Sequence, residues 1–125
     1  MKVLQSLYAF IQSDNDRLEV GEKKLFISID KLYELCFWQL AILVEVVDFA
    51  RKRSEDAKLK HFPSDEDLNP NTKFIDNMFI KKLSDNREFQ KQCELFKVNW
   101  SDEKEMIRRL FVRVKDSKDY SDYIV

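Results

Sequence analysis

The side chains best suited to nucleophilic or metal chemistry are Cys36, Cys93 and His61, and their spacing makes no ligand set. Each cysteine falls on an apolar helical repeat, where a buried, reduced thiol is expected ahead of a disulfide or a metal pair. Glu45 and Asp48 share a helical face at i, i+3, but they sit in a polar stripe where solvated carboxylates are the plain expectation. Asp65, Glu66 and Asp67 lack the spacing and the central glycine of a calcium loop. There is no glycine-rich phosphate loop, no GxSxG and no HExxH. The expectation is a protein that is not an enzyme and needs no metal or cofactor.

Charge offers little more. The most basic patch is Arg51-Lys52-Arg53 with Lys58 and Lys60, and Glu55 and Asp56 lie inside it. That mixture reads as the solvated end of a helix, where cations suit the dipole, ahead of a nucleic-acid footprint. The net charge is −1 with 36% charged residues, so no global field points to nucleic acid, a membrane or an acidic substrate.

The elements that must position these residues are helices. One Gly and two Pro are too few for a turn-rich sandwich or barrel, while ten Phe, four Tyr and two Trp supply large core pieces. At 125 residues the chain suits a single all-α domain over 1–125, an elongated bundle of five or six helices around one long central helix. That helix is expected over residues 22–51. Leu25, Ile29, Leu32, Cys36, Leu40, Leu43, Val47 and Ala50 step by three or four, with Phe26, Tyr33, Phe37 and Val44 in a seam beside them. So broad an apolar surface predicts that the rest of the chain wraps it. Gly21 would make its first turns the weakest part, after a turn at 13–16 in which Asp14 or Asp16 caps the helix.

Trp38 and Ala41 interrupt the polar stripe of this helix, so Trp38 is a core-edge ring or a point where a partner docks, with Arg51 and Arg53 at the far end as further docking points. No run reaches the ~20 apolar residues needed to span a bilayer, and a cytoplasmic protein is expected.

Further helices are expected over 1–12, 73–83, 87–98, from 101 or 102 to 115, and 118–125, with a single turn at 64–67. Asn69-Pro70-Asn71-Thr72 should cap the segment at 73–83, a capping box of Asp85 and Glu88 the next, and Ser101 or Asp102 the one after. Amphipathic patterns run up to both termini, which suggests a piece of something longer.

Lys2-Val3-Leu4-Gln5-Ser6-Leu7-Tyr8-Ala9-Phe10 resembles the opening helix of the bacterial transcription antitermination factor NusB family, and Ser13, Asn15 and Asp16 continue the likeness into the turn. EKKLFISIDKLYEL, DLNPNTKFIDNMFIKKL, NWSDEKEMIRRLF and DYSDYIV look like the enlarged N-terminal region of the family's longer, Bacteroidetes-type members. The resemblance implies an all-α, RNA-binding region of a longer protein. Its implied partners are boxA-type RNA, the ribosomal protein NusE and the RNA polymerase antitermination complex, and a homodimer is compatible with it. By residue-to-residue match it implies RNA contact at Tyr8, with Lys2 and Gln5 on the same helix. The family's arginine-rich run would lie just before Lys2, so weak, salt-sensitive binding is expected of a chain without it. A helical protein–protein module with no direct RNA contact is the competing expectation.

Overall fold

The computed structural model describes residues 1–14 and 16–125; Asn15, in the expected turn, lies outside the described residues. Among the described residues there are seven helices and no strand: α1 Lys2–Gln12, α2 Leu18–Lys58, α3 Asp65–Leu68, α4 Met78–Ser84, α5 Arg87–Leu95, α6 Lys104–Lys115 and α7 Lys118–Ile124. The protein is all-α, with one or two more helices than the sequence suggests. None is long and apolar enough to cross a membrane, among the described residues. The chain divides into two compact units, Met1–Phe37 and Trp38–Val125, and α2 runs through both.

α2 is longer than expected at both ends. It starts before Gly21 and continues past Arg51 to Lys58, so Arg51, Lys52 and Arg53 lie within the helix and only Lys58 occupies its last turn. Gly21 is interior to the helix, and its missing side chain has a packing reason. A Cβ there would stand 2.7 Å from the Phe10 ring, so glycine lets α1 lie close.

In Met1–Phe37 the helices touch through a narrow edge. Phe10 lies against Gly21, and Ser6, Ala9 and Ser13 on the α1 side line a cleft of about 100 Å³ with Val20 and Lys24 of α2. Leu4, Leu7 and Ile11, on the opposite side of α1, remain exposed, as do Phe26, Ile29 and Leu32 on α2. No described residue of this unit is buried. The expectation that the chain wraps α2 therefore fails over its first half. The same correction applies to Cys36, which is exposed. Periodicity shows which face a helix would bury, not whether anything covers it.

Trp38–Val125 holds the core. Val46 and Ala50 of α2 pack with Ile107 and Phe111 of α6, surrounded by Ile42, Phe49, Phe74, Ile75, Trp100 and Leu110. Phe111 meets Phe49 edge-on at 5.5 Å between ring centroids, and Phe74 meets Tyr120 at 5.4 Å. Cys93 is half-buried as a free thiol, and burial pushes its pKa up.

Helix ends differ from the sequence reading for local reasons. Residues 73–76 are turns, and α4 starts later because Asn77, not the 69–72 segment, is the cap: its Oδ1 accepts from the N–H groups of Phe79 and Ile80. Asn86 rather than Asp85 caps α5, because Asp85 is still helical while Asn86 is extended and accepts from Phe89 N–H. α5 stops at Leu95, short of 98, in a Schellman turn. Lys97 takes φ 53°, Val98 N–H donates to Cys93 C=O at 2.9 Å, and Lys97 N–H donates to Glu94 C=O at 3.1 Å. At α6 the N-cap position is Glu103, with no side-chain cap bond, in place of Ser101 or Asp102. The expected turn at 64–67 forms as α3, with a capping box between Ser64 and Asp67.

Candidate nucleic-acid interface

The α1 residues singled out in the sequence fall on one strip. Lys2, Gln5 and Tyr8 are spaced three apart on a helix that runs from Lys2 to Gln12, so their side chains lie along one side of it. All three are exposed, Tyr8 at 67%. Gln12, four residues after Tyr8 and also exposed, extends the strip; the i+4 spacing carries that signal in the sequence. Met1 at the N-cap makes no side-chain cap bond, so first-turn N–H groups near Lys2 are left to solvent or a ligand. At the other end Ser13 Oγ donates to Phe10 C=O at 2.8 Å, and Asp14 takes φ 48°.

The strip offers one cation, carboxamides and one aromatic face. That set can pair with a phosphate, hydrogen-bond a base edge and stack on a base, and it holds no acid–base pair or nucleophile.

Trp38, Arg51 and Arg53 lie in the other unit and do not form a cluster. They are on α2, where Trp38 and Arg51 are 13 residues apart, on the order of 20 Å along the axis. Arg51 and Arg53, two apart, point to different sides of the helix. Trp38 is half-buried. Trp100 packs edge-on against it at 5.2 Å and donates its indole N–H to the Trp38 carbonyl at 3.1 Å. Arg51 pairs with Asp48 at 2.7 Å. Arg53 lies 5.7 Å from the centroid of the Phe111 ring and borders two open grooves. One, of about 630 Å³, is also lined by Trp100 and Lys104; the other, of about 560 Å³, by Phe74 and Tyr120.

The acidic candidates are engaged in ordinary structure. Asp67 closes the Ser64 capping box and pairs with Lys60 at 3.2 Å, and the Ser64 backbone bond, ahead of Lys60, holds its pKa below the usual range. Hydrogen bonds from Arg108 and then Arg109 draw the Glu105 pKa down to about 2. His61 is exposed, with its ring against Phe62 at 4.5 Å. Among the described residues no three His, Cys, Asp or Glu side chains gather as a metal site.

No protein-family model, curated protein or solved structure matches this chain.

Proposed function

We propose that this chain is the N-terminal helical region of a NusB-like RNA-binding factor acting in transcription antitermination and ribosomal RNA transcription, with α1 as its RNA-reading element. One observation carries the reading: the segment KVLQSLYAF, which resembles the family's opening helix, forms a helix that presents Lys2, Gln5 and Tyr8 together to solvent. In this reading Lys2 pairs with a phosphate, Gln5 hydrogen-bonds a base edge, and Tyr8 stacks on an unpaired base of a boxA-type RNA. NusE and the RNA polymerase antitermination complex are the partners that follow from the same resemblance.

The test is a titration of the protein with labelled boxA RNA and a scrambled RNA of equal length, at two salt concentrations, with and without NusE. A preference for boxA is expected. Tyr8→Ala should lower boxA affinity on the order of 10-fold, as loss of one stacked base does. Lys2→Ala should weaken both RNAs alike and reduce the salt slope by about 1. Equal affinity for the two RNAs, with or without NusE, would end the proposal.

A second reading, a helical protein–protein module, is favoured by a different observation. The apolar side of α1, with Leu4, Leu7 and Ile11, points away from α2 and is uncovered.

A further inference from the structure

The net charge of −1 hides one uneven element. On α6, Lys104, Arg108, Arg109, Arg113 and Lys115 stand against the single acid Glu105, a balance of +4, so the rest of the chain stands at −5. All six side chains are exposed, while Ile107 and Phe111 of the same helix enter the core. Asp102, Glu103 and Asp116 lie at or past the helix ends, which confines the excess to 12 residues, about 18 Å of axis.

Glu105 does not cancel the excess. Arg108 donates to both of its carboxylate oxygens at 2.9 Å and Arg109 Nε donates at 3.2 Å, which fixes two guanidinium groups and leaves both terminal nitrogens of Arg109 for another acceptor. Arg113, one turn on, makes no ion pair among the described residues. Arg108, Arg109 and Arg113 line an open groove of about 510 Å³ with Met106, Leu110 and Val112, and among the described residues no carboxylate lines it. Lys104 and Lys115 border grooves that also hold Glu45, Asp48, Glu66 and Asp67. The arginine side is the one open to an anion.

The chemistry of the groove narrows the occupant. From Arg108 to Arg113 the guanidinium groups are spread along about 8 Å of axis and around roughly 140° of the helix, too far apart for one small anion and suited to consecutive phosphates. Met106 and Leu110 are half-buried and Val112 is 37% exposed, which leaves little apolar surface for the core of a protein interface. A membrane is disfavoured for a related reason: the apolar side of α6 is taken up by the core, so none is left to insert. We infer that this side of α6 binds the phosphate backbone of a single nucleic-acid strand without regard to sequence, through Arg108, Arg109 and Arg113. The inference goes beyond the α1 reading, in which Lys2 alone meets a phosphate, and does not depend on boxA recognition.

The test is a titration of labelled oligo(U) of about 12 nucleotides, followed by fluorescence anisotropy from about 50 to about 200 mM salt. The double variant Arg109→Gln/Arg113→Gln is compared with Lys82→Gln/Lys91→Gln, which removes the same charge from exposed positions of α4 and α5. The α6 variant should flatten the slope of log affinity against log salt by about 1.4, the share of two phosphates on a single strand, with helix content by circular dichroism unchanged. The control variant should change the slope by less than ~0.5, and poly-glutamate should compete more weakly than unlabelled oligo(U). Equal changes in the two variants overturn the inference, and so do poly-glutamate competing as well as RNA or no binding of oligo(U) at all. The two readings fail separately. A boxA preference that survives while the α6 variant has no effect removes this inference alone, and equal binding of boxA and scrambled RNA with the α6 effect intact removes only the α1 reading.

Discussion

Met1–Phe37 and Trp38–Val125 are both built from amphipathic helices and share α2, yet among the described residues only the second has buried side chains. Along α2 the difference falls about six turns apart: Phe26 is 56% exposed, while Val47, on the same broad side, is 2% exposed. The first unit gives α2 a contact one glycine wide, through Phe10. The second covers it with α6 and the aromatic residues around Phe111. A similar periodic pattern thus makes a core in one place and an open surface in the other. What decides is the presence of a second element at the right height, not the hydrophobicity of the helix.

The sharpest break of this comparison is a pair of truncations. Phe111→Ala should cost ~3–5 kcal/mol in chemical denaturation, because it removes the ring against which Phe49 and Phe74 pack. Phe26→Ala in dilute protein should change stability by less than ~0.5 kcal/mol, as exposed positions do. Comparable losses at the two sites would mean that the units are not so differently packed.

Gly21→Ala separates α1 from α2 without touching the core. Alanine favours the helix interior by about 1 kcal/mol, but its Cβ displaces the Phe10 ring. Hydrogen exchange should slow at α2 amides near residue 21 and quicken along α1. Unchanged exchange in α1 would show that Phe10 is not what holds it.

The smallest expected effect is electrostatic and belongs to the second unit. The folded-state pKa of Glu105 is depressed, so its contribution is present above the ordinary glutamate value and fades as pH falls through about 2. Glu105→Gln should flatten stability across that acid window by removing a small contribution at neutral pH, small because the group is exposed, while leaving stability at the acid end unchanged. A loss at pH 7 comparable with that of Phe111→Ala would contradict this.

Helix existence was legible because the three-to-four stepping of apolar residues is dense from Leu25 to Ala50 and again from Met106 to Val114. Helix starts were less so, because the cap depends on which of two adjacent polar residues turns extended. Asp85 and Asn86 have the same capping chemistry, and only their backbone angles separate them. Coverage was not legible. Cys36 and Val47 belong to one stripe, and nothing in the spacing says that the first is exposed and the second buried. The α1 strip was read from the family likeness alone, and a helix over 2–12 is all it needed to form a line.

The indole bond from Trp100 to Trp38 joins positions 62 apart in the chain, and Asn71 Nδ2 donates to the Ile124 carbonyl across 53. Closing loops of that length makes folding of Trp38–Val125 a non-local, comparatively slow event, whereas α1 and the start of α2 meet across a short turn. The two tryptophans of the chain are the pair that meets at this closure. Tryptophan fluorescence, excited where tyrosine does not absorb, is therefore a clock for the second unit alone, since Met1–Phe37 holds tyrosines but no tryptophan.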